Sequence, residues 1–136
     1  MLSMGIATSV IGGANLVSAK EKFTDLGSVS WAEDAVYYLS DRGVINGYGN
    51  GYFGATDYIT RGQAAVMLVR ELYPNETSST KLTFPDVAED SYYYDAIAVA
   101  VERGIFNGNP DGTFTPDAPI SRAATAKILA VAYGLD

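Results

Sequence analysis

Laid on its own sequence, the chain matches itself at one offset: Phe23 falls on Phe84, a shift of 61 positions (84 − 23), and that shift runs to the end without a gap. Asp25 meets Asp86, Trp31 meets Tyr92, Arg42-Gly43-Val44 meets Arg103-Gly104-Ile105, Asn46-Gly47 meets Asn107-Gly108, Phe53 meets Phe114 and Arg61 meets Arg122. Glycines, aromatics and arginines kept in one register mark a duplicated supersecondary unit. A unit this short buries too little apolar surface to be robust alone, so the copies should pack on each other.

The pattern inside each copy predicts a mainly α chain of tandem helix-loop-helix repeats with short extended segments in the loops. In copy one, Ser30 and Glu33 have capping-box spacing, and Trp31, Ala35 and Leu39 recur every fourth residue, which puts them on one helix face. Arg42 and Gly43 read as the stop, a cation for the carbonyl end of the dipole and a glycine for the left-handed turn. The counterpart helix runs from about Tyr92 to Arg103. Each loop then carries turn residues, Gly49-Asn50-Gly51 or Pro110-Asp111-Gly112, before an extended piece at Tyr52-Phe53 or Thr113-Phe114. Phe53 and Phe114 should fill the core. A second helix opens at Thr60, spaced from Gln63 as a capping box, and ends before Pro74; its counterpart starts at Ser121 and ends before Gly134. These boundaries divide the chain into a first repeat at 20–73, a polar linker at 74–83 and a second repeat at 84–136.

The charge-free, small-residue stretch 1–19, followed by Lys20, Glu21 and Lys22, has the shape of an export signal cut after Ala19, although a positive amino-terminal region is absent from it. Subtracting 61 once more would alternatively place residues 1–11 where the second helix of a preceding copy would lie.

Composition removes whole classes of function. A net charge of −7 and a pI near 4.4 oppose nucleic-acid binding. With no Cys and no His, the thiolate nucleophile, disulfides, the usual zinc ligands and the commonest general base are all missing. Only carboxylates remain for acid-base work, and two near-identical small repeats rarely build one asymmetric active site. No enzyme, metal or cofactor is therefore expected. Asn107-x-Asn109-x-Asp111-Gly112 imitates the start of a calcium loop, but its twelfth position is Ala118 where an acid is needed, and turn chemistry explains the rest. Ten tyrosines suit a hydrogen-bonding partner such as sugar, and half-buried core use explains them equally well.

The ordered landmarks in FTDLGSVSWAEDAVYYLSDRGVINGYGNGYFGATDYITRGQ and FPDVAEDSYYYDAIAVAVERGIFNGNPDGTFTPDAPISRAA resemble the S-layer homology domain, over about residues 23–133. The resemblance implies an exported, cell-surface module that attaches proteins noncovalently to the cell wall. Its partner would be secondary wall polysaccharide, often pyruvylated, or a peptidoglycan-linked polymer. It also implies that the Arg of a Thr-Arg-Ala-Glu-like motif lies in a groove between neighbouring repeats: Arg61 in ITRGQ and Arg122 in ISRAA. The motif's acidic position is held by Gln63 and Ala124, so both copies depart from the pattern, the second more severely. Such domains usually present three repeats around a pseudo-threefold core; a third would come from a longer polypeptide, from another chain, or be dispensable.

The site expected for wall glycan is thus Arg61 and Arg122 as anion forks at helix starts, with Thr60, Gln63 and Ser121 beside them and Trp31 and Tyr92 as stacking platforms. The bland alternative for each Arg is a surface pair with Asp57 or Asp117, and for each aromatic a place in the core. Asp25 and Asp86 should serve the backbone at a turn before the first helix, and Arg42 and Arg103 should be helix-end residues. Two other classes remain open from residues alone: self-assembly into a surface lattice, and hydrolysis of wall glycan by paired carboxylates.

Overall fold

A computed structural model describes residues 23–135. The export-signal reading of 1–19 and the partial-repeat reading of 1–11 both lie outside the described residues. The fold is mainly helical, with α1 at Glu33–Asp41, α2 at Arg61–Leu72, α3 at Tyr94–Glu102 and α4 at Arg122–Ala132. The extended pieces form no named strand among the described residues, only an antiparallel bridge between Thr60 and Pro119.

Local chemistry sets the helix ends. Thr60 is extended and its hydroxyl accepts from the Gln63 N–H at 3.1 Å, while the Gln63 side-chain oxygen accepts from the Thr60 N–H at 3.0 Å. Two of the donors that any helix start leaves orphaned are thereby satisfied. At α4, Ser121 Oγ accepts from the Ala124 N–H at 3.1 Å, and Ala124 has no polar side chain to return the bond. After α1 and α3 the chain turns at Gly43 (φ 76°) and Gly104 (φ 73°), the left-handed stop that a Cβ would strain.

The first helix departs from expectation. Ser30 lies inside a 3-10 stretch, Gly27–Ala32, and α1 has Ala32 at its cap position with no side-chain bond, so the Ser30–Glu33 box does not form. A 3-10 turn advances about 120° per residue against 100° in an α-helix, which shifts the phase of everything after it. Trp31 and Ala35 accordingly face solvent, and the buried residues of α1 are Val36 and Ser40.

The described residues form two compact units: 23–42 with 46–55, and 43–45 with 56–135. In the first unit Phe23 is buried against Tyr37 (rings stacked, 5.6 Å) and Phe53 (5.2 Å), and Tyr37 Oη accepts from the Phe23 N–H at 2.9 Å. Phe53 is only half-buried, which corrects its expected role as a core plug. In the second unit α2 packs on α3, and Ala65, Ile97, Ala100, Ile105, Phe106 and Phe114 are all but inaccessible to water. The second helix of copy one and the whole of copy two therefore share one core.

The connector after α2 is strapped to α3. Arg103 donates through Nε to Glu76 at 2.7 Å and lies over the Tyr73 ring at 4.6 Å. Glu102 accepts from the hydroxyls of Ser78 and Thr80, and Tyr94 Oη accepts from the Leu82 N–H at 3.0 Å.

Asp25 and Asp86 serve the backbone as expected, but at a different place. Asp25 accepts from the N–H groups of Phe53 and Gly54 (2.8 Å each) and Ala55 (3.2 Å), and Asp86 from those of Phe114 (3.0 Å) and Thr115 (2.8 Å). Each carboxylate reaches across the copy to fasten its loop, since an extended loop has no ladder to take those donors. The Phe53 N–H, with those of Ala55 and Gly54, holds the Asp25 carboxyl below its ordinary value. At Asp86 burial pushes upward, but the bonds from Phe114 and Thr115 outweigh it and the net direction is again down. A depressed folded pKa means stability that is present above the unfolded value of 3.8 and is lost as pH falls through the folded one. The double variant Asp25→Asn/Asp86→Asn should melt several degrees lower at neutral pH and lose less on acidification below about pH 4. Parallel melting curves of wild type and variant from about pH 7 down to about pH 2 check this.

Candidate functional site

Arg61 is the first residue of α2 and every partner of its guanidinium lies in copy two. Nε donates to the Phe114 carbonyl at 2.9 Å and Nη2 to the Asn107 carbonyl at 3.0 Å. The guanidinium carbon lies 4.6 Å from the Phe114 ring centroid and 5.3 Å from that of Phe106. Backbone bonds hold the helix start in place: Arg61 N–H to the Ala118 carbonyl at 3.0 Å and Gly62 N–H to the Pro116 carbonyl at 2.8 Å. The group is partly exposed, and among the described residues it makes no ion pair. In place of the alternative pairing with Asp57 or Asp117, Arg61 is held by carbonyls and rings. Burial without a compensating carboxylate pushes the guanidinium pKa down from its usual value. A planar cation is thus held rigidly at a helix start, in the register where the resemblance placed it.

Thr60 and Gln63 close the capping box, so the Gln63 side-chain oxygen, standing where the motif has an acid, is engaged with the Thr60 N–H. Arg122 begins α4 in the equivalent place, exposed, with no side-chain hydrogen bond among the described residues, next to the Ser121 cap. Trp31 is 85% exposed and Tyr92 67%, so neither is core. Tyr92 Oη accepts from Arg70 Nη2 at 2.7 Å, and the Tyr92 ring meets Tyr93 edge-on at 5.5 Å. Arg42 and Arg103 cap α1 and α3 as expected. Sequence reasoning missed the Asn107 and Phe114 carbonyls and the Phe106 ring. Carbonyls carry no side-chain signature, and Phe106 reads as ordinary core.

The carboxylates with shifted pKa values all move in one direction. Besides Asp25 and Asp86, Glu89 is held down by a hydrogen bond from Lys81, Glu102 by one from the Ser78 hydroxyl, and Asp111 by one from the Thr113 hydroxyl. A general acid working near neutral pH needs the opposite displacement. In the calcium-like loop, Asp111 accepts from both the hydroxyl (2.7 Å) and the N–H (3.0 Å) of Thr113, the ordinary work of an Asx turn.

Residues 22–65 and 83–126 each match the sequence model of the S-layer homology domain. The chain belongs to that family. It is 37% identical over 121 residues to the surface-layer 125 kDa protein of Lysinibacillus sphaericus, covering 88% of this chain and 10% of that protein. A cellulosome-anchoring protein of Acetivibrio thermocellus is 38% identical over 87 residues, 62% of this chain and 20% of the relative. An uncharacterized cell wall amidase of Bacillus anthracis is 32% identical over 131 residues, 96% of this chain and 24% of the relative. The S-layer homology chain described here thus spans between a tenth and a quarter of these relatives. No helix among its described residues is long and apolar enough to cross a membrane.

Proposed function

We propose that this S-layer homology chain is a non-catalytic anchoring module at the cell surface that binds an acidic wall polymer, pyruvylated polysaccharide being the best chemical fit, with Arg61 as the anion-binding group. The observation that supports this reading is the state of that guanidinium. It carries charge without a carboxylate partner among the described residues, and its orientation is fixed by two carbonyls and two rings. A pyruvyl carboxylate offers the compensation the fold leaves out, and a prepositioned fork binds it with little ordering cost. Thr60 and Gln63 hold the helix start on which Arg61 sits, and the exposed Trp31 and Tyr92 offer flat faces to pyranose rings. Arg122 and Ser121 form the weaker counterpart.

Sedimentation with purified wall material tests the reading. Arg61→Ala should weaken binding roughly ten- to hundredfold, as expected for losing a charged hydrogen-bonded contact of about 1.5–3 kcal/mol. Arg61→Lys should lie between, because an ammonium keeps the charge and loses the fork. Arg61→Ala also strips donors from the Phe114 and Asn107 carbonyls, so binding is compared well below each variant's melting temperature. Chemical removal of acidic substituents from the wall should reproduce the Ala phenotype in the wild type. Undiminished binding after that treatment rejects anion capture, and release of reducing ends on incubation would favour hydrolysis instead.

A further inference from the structure

The peptide that joins Phe114 to Thr115 is clamped at both ends. Its carbonyl accepts from Arg61 Nε at 2.9 Å, and its N–H donates to Asp86 Oδ2 at 2.8 Å. A peptide unit is planar, so aiming one end aims the other, and the torsions on either side set the plane. One of these is φ of Thr115, at 52°, and Thr115 is the one non-glycine residue with a positive φ among the described residues. Its counterpart in copy one is Gly54, at φ 79°. A β-branched residue is poorly suited to the left-handed region, and Thr115 is exposed, so no core contact selects its side chain. Strain kept at such a position points to work done by the side chain itself.

The hydroxyl has that work. Thr115 Oγ1 donates to the Phe114 carbonyl at 2.6 Å and accepts from Asn109 Nδ2 at 3.1 Å, so Asn109 occupies a lone pair and leaves the hydroxyl proton for the carbonyl. Both lone pairs of the Phe114 oxygen are then engaged, one by Thr115 and one by Arg61. The Thr115 carbonyl accepts from the Ala118 N–H at 3.1 Å, and the Ala118 carbonyl takes the Arg61 N–H at 3.0 Å. One residue thus steadies both the backbone at Arg61 and the acceptor of its side chain. The Phe114 and Asn107 carbonyls use Nε and one N–H of Nη2, which leaves Nη1 and the other Nη2 hydrogen as the pair a carboxylate can take. We propose, resting on the role given to Arg61 above, that Thr115 is a positioning residue for anion capture: its hydroxyl and left-handed backbone fix the Phe114 carbonyl, and through it the guanidinium edge that receives a single carboxylate of the wall polymer.

Thr115→Gly removes the hydroxyl while allowing the same backbone angle, and Thr115→Ser keeps the hydroxyl. Relief of the left-handed backbone offsets the lost bonds, so the glycine variant should melt within about 4 °C of the wild type. In heteronuclear NMR spectra the Arg61 Nε–H signal, assigned by its disappearance in Arg61→Lys, should exchange with water about two- to tenfold faster in Thr115→Gly than in the wild type or Thr115→Ser. Affinity for purified wall material, read by sedimentation well below each melting temperature, should fall by about two- to tenfold in Thr115→Gly and be restored in Thr115→Ser. A threonine with a merely structural role would change melting and leave both the Nε–H and the affinity alone. Unchanged Nε–H exchange in Thr115→Gly overturns the proposal, as does undiminished affinity in that variant while Arg61→Ala binds weakly. Full binding by Arg61→Ala would reject anion capture, and the ligand half of the proposal with it, while the exchange rates still decide whether Thr115 orients Arg61.

Discussion

Replacing Phe114 with alanine should cost the second unit about 3–5 kcal/mol, a large part of the roughly 5–15 kcal/mol that holds a small domain together. The ring is fully buried, packs on Phe84 at 5.3 Å and Phe106 at 5.7 Å, and carries the Arg61 guanidinium on its face. Truncation removes transfer free energy, leaves a cavity, and withdraws a cation–π contact of about 0.5–2 kcal/mol. Phe53→Ala, at the matching position of copy one, should cost only about 1–2 kcal/mol, because that ring is half-buried. Urea denaturation of both variants measures the difference. Equal costs would mean the two copies are built alike, contrary to the unequal cores.

The next largest effects are expected at two glycines chosen for space. A Cβ at Gly108 would lie 2.3 Å from Phe84 Cε1 and 2.9 Å from its Cζ; one at Gly47 would lie 2.3 Å from Phe23 Cε1 and 2.9 Å from the Tyr52 carbonyl oxygen. Both rings are packed against a second aromatic, so neither retreats without opening the core. Gly108→Ala should destabilise by about 1–3 kcal/mol, and Gly47→Ala by more, since a backbone oxygen cannot swing aside as a ring can. Gly27→Ala, with nothing within 4 Å of the added methyl, is the control and should change little. Melting curves of the three variants give the order, and a neutral Gly108→Ala would show that the Asn-Gly landmark serves something other than the approach of Phe84.

Asn46-Gly47 and Asn107-Gly108 are visible in the sequence as matched landmarks, and a turn is their natural reading. The fold instead uses both glycines to admit a ring that precedes them by 24 positions, Phe23 before Gly47 and Phe84 before Gly108. The Thr60–Gln63 capping box is legible because its bonds span three residues. The box expected at Ser30 fails because a 3-10 turn, which no side chain announces, takes the place of the first α-helical turn. Asp25 and Asp86 do belong to the backbone, as their residue type suggests, yet their acceptor work lies 28 to 30 residues away, beyond any local rule.

Local and periodic features are readable from the chain alone: a repeat of 61 residues, four helices, glycine stops, a threonine and a serine start, and two arginines at equivalent helix beginnings. Each follows from the dihedral freedom or hydrogen bonding of residues a few positions apart. Which of those arginines is held, by contrast, depends on the packed molecule. Arg61 meets carbonyls and rings 45 to 53 positions further on, because α2 packs against the following copy, whereas Arg122 starts the same kind of helix with no such partner among the described residues. Identical local chemistry leads to two different environments because long-range packing, which a linear pattern does not encode, supplies the neighbours.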